Sequence, residues 1–427
     1  MNVRTTLALG TAALVALAAL ATTGLGQSQK VTLNFWTHSH PPMIAYNKDL
    51  IAEYQKANPN VTINYQSFPT DEYLTKLKAA LATGTGPDAF DLFDGDLTTY
   101  NGQKQLAPVD AASFGFKSLE DMKKAWLLGS LEGSTFDGKV YQIPMEFNTF
   151  SLFINTDLYK KAGLDPDKDA PKTWKDLAKV SAKIANLSAN PKIEGFKWPV
   201  PKLGDVWAQI TFEPMLRQYG GAILAADGKS SAINSPQAVA ALKTYAELIT
   251  KYKTGDQNSG KYDSLTPNED FAQGTLGNWI SGPWAIPTLE KKPVWGKFKV
   301  VPLPQANPSK PVTLLYAWGW SVNAASKQQS EAWKWVSYLS SKGEQWLDKA
   351  GYVQPRLGWE NSKVAKDTPY LNVFLEDMKR GQYTVRSTRF AEITKAVNNM
   401  LQRAILQGQA PQAAADQAKK EIDDILR

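Results

Sequence analysis

The chain has 427 residues, of which 43% are hydrophobic and 21% charged, as in an ordinary globular protein of two or three domains. Its net charge of +7 is spread along the sequence without a Lys/Arg block, which indicates solubility and mild anion affinity rather than nucleic-acid binding. The chain contains no Cys, which excludes disulfides, thiolate catalysis and cysteine metal sites.

Residues 1–26 have the features of a secretory signal peptide. Arg4 supplies a positive start, residues 7–20 form an apolar run, and small residues follow, with cleavage expected near Gly26 or Gln27. The apolar run is shorter than the ~20 residues of a membrane span. We therefore expect cleavage rather than a retained anchor. No Cys follows that could carry a lipid, so we expect a soluble periplasmic or otherwise extracytoplasmic protein without a lipid anchor.

Strand and helix patterns alternate from residue 31 onward. Alternating apolar residues predict strands at 31–35, 61–65 and 89–93, and apolar residues at helical spacing predict helices over 50–57 and 74–81 between them. This β-α-β-α-β order predicts a parallel sheet with helices on its faces.

The same alternation starts again in the middle of the chain. Thr173 and Asp176 predict a capping box at the start of a helix, and Ser235 with Pro236 predicts the start of another. The Ala/Gln-rich stretch 407–416 has the composition of a low-complexity segment. The other predicted elements are strands at 150–154 and 298–301 and helices at 333–339, 344–349 and 390–404.

Two aromatic clusters interrupt these patterns, Ile-Ser-Gly-Pro-Trp at 280–284 and Tyr-Ala-Trp-Gly-Trp at 316–320. Each sets rigid rings beside Gly or Pro in a context too broken for a regular helix. A flat apolar ring near backbone amides suits a ligand with apolar faces and polar edges, such as a sugar. A single Trp among the 14 in the chain is more often a core residue, but two such clusters favour a binding cleft.

Seven short sequence motifs follow one another along the chain: EYQKANPNV at 53–61, ATGTGPDAF at 82–90, DGKVYQIP at 137–144, FINTDLY at 153–159, PKTW at 171–174, FAQG at 271–274 and GPW at 282–284. Their collinear order resembles the extracellular solute-binding proteins of ABC importers, in the carbohydrate-binding, maltose-binding-protein-like branch. The resemblance covers nearly the whole mature chain.

The resemblance implies an α/β fold, the type II periplasmic binding-protein fold, in which each of two lobes holds a mostly parallel sheet flanked by helices. It implies an N-terminal lobe of 27–146 plus 300–345 and a C-terminal lobe of 147–299 plus 346–427. The chain would cross between lobes near 145–149, near 297–302 and shortly before Trp346. Ligands of such folds lie between the lobes, at the carboxyl ends of strands and at helix N-termini, and the lobes close by hinge motion.

The resemblance also implies where ligand contacts lie. Trp284 and Trp318 match the family's stacking aromatics. Many relatives carry an acidic residue where this chain has Asn148, so Glu146 would take over that role. The candidate ligand-binding residues are Trp36, His38, Ser39, His40, Asp94, Gly95, Asp96, Glu146, Asn148, Asp205, Trp207, Gly282, Trp284, Tyr316, Trp318, Arg356 and Arg386.

Some of these residues have a competing interpretation. His38 and His40 could bind a metal, but the chain has no further His and no Cys to complete a soft site, so hydrogen bonding to ligand hydroxyls is favoured over a metal site or a solvated loop. Asp96 could instead form an Asx turn that caps the next helix. Arg386 could form a surface salt bridge.

We expect a non-enzymatic, monomeric receptor that captures a di- or oligosaccharide and delivers it to the membrane permease subunits of an ABC importer, without a cofactor, metal or nucleic acid. One alternative is a secreted glycoside hydrolase, which needs two carboxyl groups facing one glycosidic bond. Another is the same fold binding a phosphorylated polyol, a polyamine or a metal ion. The abundant aromatic residues favour a neutral sugar.

Overall fold

The computed structural model describes residues 30–127, 129–188, 192–198, 206–255 and 266–427. The predicted signal peptide, residues 1–26, lies outside these ranges. Within them, no helix has both the length and the apolar character needed to cross a lipid bilayer.

The described strands and helices follow one another along the chain with these bounds. The strands are β1 (Val31–His38), β2 (Val61–Phe68), β3 (Ala89–Phe93), β4 (Thr135–Phe136), β5 (Lys139–Val140), β6 (Ile143–Pro144), β7 (Ser151–Asn155), β8 (Glu194–Phe196), β9 (Leu276–Ser281), β10 (Phe298–Val301), β11 (Thr313–Leu315), β12 (Trp318–Val322) and β13 (Gly381–Tyr383). The helices are α1 (Pro41–Ala57), α2 (Thr70–Ala82), α3 (Leu97–Gly102), α4 (Leu119–Lys123), α5 (Thr156–Lys161), α6 (Trp174–Ala185), α7 (Val206–Gln218), α8 (Pro236–Thr250), α9 (Thr266–Ala272), α10 (Ile286–Leu289), α11 (Gln329–Ser340), α12 (Gly343–Ala350), α13 (Lys363–Asp367), α14 (Leu371–Met378), α15 (Phe390–Ile405) and α16 (Pro411–Leu426).

The first lobe is built on a five-stranded sheet in the order β2-β1-β3-β12-β6. β1 pairs in parallel with β2 and with β3, so the predicted parallel β-α-β-α-β unit is confirmed. β12 enters between β3 and β6 and is antiparallel to both. Its first residue, Trp318, lies opposite Phe93, the last residue of β3, because β12 begins where β3 ends.

The second lobe is built on a four-stranded sheet in the order β10-β7-β9-β8. Here β7 is antiparallel to both β9 and β10, and β8 with β9 is the parallel pair. Both sheets are therefore mixed: one strand runs against the others in each, β12 in the first sheet and β7 in the second. The cause is chain direction: β7 leaves the junction between the lobes at Ser151, while β9 runs back to the same edge and ends opposite it at Ser281.

The chain leaves the first sheet near the predicted first crossing, but the predicted return near 297–302 falls on β10, which still belongs to the second-lobe sheet. The first passage lies between β6 and β7, and the second follows β10 on the way to β12. The third is displaced from its predicted place before Trp346. The ring of Trp346 lies 4.8 Å from that of Tyr46 and 5.8 Å from that of Trp320, so α12 packs on the first lobe and the passage comes after Ala350.

Two helix starts illustrate how local sequence sets the elements. At α6 the Thr173 hydroxyl accepts from the Asp176 N–H at 3.1 Å, and the Asp176 carboxylate accepts from the Thr173 N–H at 3.1 Å, which confirms the predicted capping box. The Ala/Gln-rich stretch is not a low-complexity segment. It opens α16, which packs against α15 and buries one Ala-rich face, formed by Ala414, Ala415, Ala418 and Ile422.

Candidate functional site

A pocket lies between the two sheets. It encloses about 710 Å³ of space that protein atoms do not fill, including open solvent at its mouth. The first lobe contributes the carboxyl end of β1 and the start of β12, and the second lobe contributes the end of β9 and the start of α7. The described lining residues are His38, Ser39, His40, Thr70, Glu146, Phe150, Trp207, Thr211, Asn268, Trp279, Ile280, Trp284, Tyr316, Trp318 and Tyr352.

Indole rings from both lobes form the pocket wall. Trp284 lies on a single 3-10 turn, Pro283–Ala285, directly after β9. Its indole N–H donates to the Tyr316 hydroxyl at 3.0 Å, and its ring centroid lies 5.5 Å from that of Trp207. A Cβ on Gly282 would lie 2.5 Å from the same indole nitrogen, so a residue without a side chain is required there. The rings therefore hold one another in place at the junction of the lobes.

One carboxylic acid lines the described pocket wall, Glu146, in the segment between β6 and β7. Its side chain is almost fully buried, and its Oε2 atom has no hydrogen-bond partner among the described residues. Burial raises the pKa of Glu146 to about 7. Asn148, two residues on, is also buried, and its amide lies close enough to the Glu146 carboxyl to oppose the rise in that pKa. This segment therefore presents polar groups that a ligand could satisfy.

His40 closes one side of the pocket. It precedes Pro41 at the start of α1, its ring stacks on Tyr352 at a centroid distance of 5.3 Å, and its Nδ1 lies 2.9 Å from the Tyr352 hydroxyl. Burial, with a smaller contribution from His38, lowers the pKa of His40 to about 3, so the imidazole is neutral. Its buried Nε2 has no partner among the described residues.

His38 forms the adjoining part of the wall together with Trp318. Its ring lies 4.1 Å from the indole at an angle of 28°, and its Nδ1 lies 2.7 Å from the carboxylate of the buried Asp91. Both histidine Nδ1 atoms thus have protein partners. Within the described ranges, no cluster of three or more His, Cys, Asp or Glu side chains is placed to hold a metal ion.

A second cavity adjoins the pocket. Thr70 lines both cavities. Of the sequence neighbours Val206 and Trp207, Trp207 lines the pocket and Val206 lines the second cavity. Asp96 faces this cavity from the first lobe. Burial raises its pKa to about 7, against the charge of Lys78, and its carboxyl makes no capping bond to α3, so the Asx-turn interpretation is wrong. Thr394 faces the cavity from the second lobe, with its buried hydroxyl unbonded among the described groups.

Asp94, Gly95 and Arg386 lie behind these cavities rather than in their described walls. Burial raises the pKa of Asp94 to about 7, with the charge of Arg386 opposing it. Arg386 donates to the Gly133 carbonyl at 2.9 Å and covers the Tyr383 ring, and within the described chain it forms no ion pair within 4.0 Å. Gly95 is pressed against an aromatic ring, since its Cβ would lie 2.5 Å from Phe390.

Three candidates are placed elsewhere. Trp36 packs edge-on against Phe68 at 5.1 Å and does not line the described pocket wall. Arg356 donates to the Ser340 hydroxyl at 2.8 Å and covers the Trp126 ring at 5.2 Å, which makes it an anchor within the first lobe. Asp205 lies outside the described residues.

Comparison with known proteins shows the family. The model of the bacterial extracellular solute-binding proteins matches residues 37–346. The chain belongs to this family. A binding protein of Brucella abortus is 24% identical over 391 residues, covering 90% of each chain. The maltodextrin-binding protein of Bacillus subtilis is 28% identical over 308 residues, covering 69% of this chain and 66% of its own.

A solved structure similar to this solute-binding protein shows the fold. It is an ABC transporter solute-binding protein from Thermotoga lettingae, bound with α-D-tagatose, with a TM-score of 0.82 and 24% identity. It covers 93% of this chain and 100% of its own. The likeness confirms the two-lobed periplasmic binding-protein fold that the sequence predicts.

Several lining residues of this solute-binding protein are absent from the prediction: Thr70, Phe150, Thr211, Asn268, Trp279, Ile280 and Tyr352. Thr70 begins α2, and a helix N-terminus facing the cleft is a signal that could have found it. Tyr352 gave no local signal, because its pocket position depends on a hydrogen bond to His40, 312 residues away in sequence.

The two lobes touch directly behind the pocket. Gly351 follows α12 with φ +70°, the left-handed conformation that favours glycine. A Cβ at this position would lie 2.6 Å from the Pro283 carbonyl oxygen and 3.1 Å from the Trp284 Cα. Main chain therefore meets main chain at this point.

Proposed function

We propose that this solute-binding protein captures a sugar between its lobes and delivers it to the permease of an ABC importer. The observation that supports this best is the pocket itself, in which indoles from both lobes flank the carboxyl group of Glu146. Sugar rings have apolar faces that can stack on the half-buried Trp284, and hydroxyl edges that Glu146 and His38 can bind. Each stack contributes ~1 kcal/mol beyond its buried area. The predicted stacking role of Trp318 is not supported, because its indole is 3% exposed and stacked on the His38 ring, so it backs the pocket wall.

The size of the ligand follows from the second cavity. Because it adjoins the pocket at Thr70 and presents the Asp96 carboxyl and the unbonded Thr394 hydroxyl, one sugar ring in the pocket leaves room and partners for another. We infer a di- or oligosaccharide. The name of the Bacillus subtilis maltodextrin-binding protein agrees with this class of ligand.

The lining chemistry disfavours the other ligands and the hydrolase. A hydrolase needs two carboxyl groups facing one glycosidic bond, whereas Glu146 lines the pocket and Asp96 lines the separate second cavity. That wall also contains no Lys or Arg to bind a phosphate group. A polyamine would call for several carboxylates beside the aromatic rings. A neutral polyhydroxyl ligand fits better than any of these.

Transport would use the ligand as a bridge between the lobes. A sugar that contacts both lobes stabilises the closed arrangement by its extra contacts there, and the permease would recognise the closed outer surface. We propose that the protein acts as a monomer outside the cytoplasm, after removal of the signal peptide at 1–26, and that it catalyses no reaction.

A thermal-shift panel tests the ligand class, because a ligand that binds the folded state raises its apparent stability. The panel contains maltose, mannobiose, tagatose, glycerol 3-phosphate and spermidine. We expect a rise in Tm with at least one sugar and none with the phosphate ester or the amine. A shift with spermidine or glycerol 3-phosphate alone would overturn the sugar assignment. Release of monosaccharides on incubation with oligosaccharides would show an enzyme instead.

A further inference from the structure

A fully buried carboxylate lies directly behind the pocket wall. Asp91 is in the middle of β3, and His38 is the last residue of the neighbouring β1. The His38 N–H lies 3.1 Å and 3.3 Å from the two carboxylate oxygens, and His38 Nδ1 lies 2.7 Å from Oδ2. Because a carboxylate only accepts hydrogen bonds, the proton of this pair belongs on Nδ1. The nitrogen that is left for the pocket is Nε2.

We propose that Asp91 is a positioning residue for ligand binding, which fixes the orientation and tautomer of His38 so that Nε2 and the Trp318 indole form one rigid corner of the pocket. The inference rests on the proposed function for the identity of the ligand. The geometry of the Asp91–His38 pair does not depend on it.

The stacked geometry explains why one carboxylate can set both groups. The His38 ring lies 4.1 Å from the Trp318 indole with 28° between the planes. Turning the imidazole by half a turn would remove Nδ1 from Asp91, and tilting it would break the stack. The Tyr73 hydroxyl donates to the Asp91 carbonyl at 2.6 Å, which holds the main chain beneath the pair. Asp91 therefore limits the imidazole to one orientation.

A purely structural role does not account for a carboxylate at this position. Taking a carboxylate out of water costs several kcal/mol unless it is paired. The rest of β3 is filled by apolar residues, and an apolar side chain at 91 would support the strand without that cost. Among the described residues, the Asp91 carboxylate is bonded to the main chain and ring of His38, and it also interacts with the buried Tyr73 hydroxyl. Of these partners His38 lines the pocket, so the part of the pairing that can affect a ligand acts through His38.

The arrangement predicts what the ligand meets. With the proton of the pair on Nδ1, Nε2 is the His38 nitrogen that is left to bond a ligand hydroxyl. Glu146 lies near enough to His38 for their charges to interact, and it lines the same pocket. A ligand hydroxyl at this corner of the pocket would thus meet a His38 nitrogen that is held in place beside Glu146.

Nitrogen NMR of labelled histidine tests the tautomer on the whole protein without any ligand. The chain has two histidines, so His40→Gln assigns the spectrum at once. We expect a proton on His38 Nδ1 in the wild type and loss of this fixed tautomer in Asp91→Asn. A wild-type Nδ1 without a proton, or an unchanged tautomer in Asp91→Asn, would overturn the inference. This measurement stands even if no sugar binds.

A double-mutant cycle tests the link to binding, with calorimetric titration of maltose, mannobiose and tagatose. We expect Asp91→Asn to weaken sugar binding about tenfold, as for the loss of one ordinary hydrogen bond, and to have less than about a twofold effect when His38 is already Ala. Equal losses in both backgrounds would show a merely structural role, and no loss in either would exclude positioning. Asp176→Asn, which weakens the capping box of α6 far from the pocket, is the control that lowers stability without changing affinity.

If Asp91→Asn does not fold, His38→Ala alone decides the question together with the wild-type NMR spectrum. We then expect weaker sugar binding and, in the wild type, a shift of the Nε2 resonance when sugar is added. Normal affinity in His38→Ala would contradict the inference. If no sugar of the panel binds the wild type, the proposed function fails, and the tautomer of the unliganded protein still decides whether Asp91 positions His38.

Discussion

Removal of the Trp284 indole is the perturbation that most directly tests the pocket. The side chain is half-buried, bonded to the Tyr316 hydroxyl at 3.0 Å and in contact with the rings of Trp207 and Trp279, at centroid distances of 5.5 Å and 6.3 Å. These neighbours hold one edge of the indole. The remaining surface faces the pocket, where a ligand ring can cover it.

The expected loss follows from the area that the ligand covers. A Trp side chain buries 150–250 Å² in full contact, so one face covered by a sugar removes about 60–80 Å² from water. At about 25 cal/mol per Å² this contributes about 2 kcal/mol, and the stacking geometry adds about 1 kcal/mol. Trp284→Ala should therefore weaken binding by about 3 kcal/mol, or roughly a hundredfold.

Isothermal titration calorimetry with the sugar identified by the thermal-shift panel measures this loss. Trp295→Ala is the matched control, because Trp295 is 41% exposed and does not line the described pocket wall, so its loss should leave the affinity unchanged. Trp284→Phe should recover part of the stacking energy. A folded Trp284→Ala protein with wild-type affinity would refute the placement of the ligand.

Three further predictions follow from the same contacts. Unfolded Glu146 loses its proton near pH 4.5 but the folded protein holds it to about pH 7, so Glu146 destabilises the fold progressively as pH rises between these values. The free energy of unfolding of the wild type should therefore fall by about 2–4 kcal/mol more than that of Glu146→Gln between pH 5 and pH 8, as measured by urea unfolding at both pH values. Asp96→Asn should weaken disaccharide binding several-fold and leave monosaccharide binding unchanged in calorimetry. Thr173→Ala should lower the free energy of unfolding by about 1 kcal/mol through loss of the capping box, without affecting sugar affinity.

Each of these three has a result that would contradict it. For Glu146, an equal stability difference between wild type and Glu146→Gln at both pH values would show that burial does not hold the proton. For Asp96, equal effects on one-ring and two-ring ligands would separate the second cavity from the binding site. For Thr173, a change in affinity with no change in stability would mean that α6 acts on the pocket.

The strands of the first β-α-β-α-β unit, β7, β10 and several of the longer helices were readable from the sequence because local patterns decide them, whereas β9 and β12, which border the pocket, were not predicted as strands. β3 and β10 have the predicted bounds, and α6 begins at the predicted capping box. Strand direction in the second lobe was not readable, because it depends on where the chain enters the lobe and not on residue type. α16 was missed because its buried face is mostly Ala, which gives weak hydrophobic contrast against Gln and Lys.

The site was predictable where single residue types carry the chemistry. The aromatic residues Trp207, Trp284, Tyr316 and Trp318 line the pocket, together with His38, Ser39, His40 and Glu146. Partners brought in by the tertiary fold were not predictable. Asp91 has no distinguishing neighbours in sequence, so its bond to His38 was not predicted. Arg356 was predicted as a ligand contact because its bond to Ser340 and its position over the Trp126 ring depend on the tertiary fold.

The close approach of Gly351 to Pro283 joins the two lobes through main-chain atoms, which have no rotamers to yield. If the lobes close by hinge motion, as we propose, this contact would resist further approach at that point. The side chains that line the pocket in front of this contact would then decide which ligand sizes can bind. Substitution of those side chains should change which ligands bind while leaving the separation of the closed lobes unchanged.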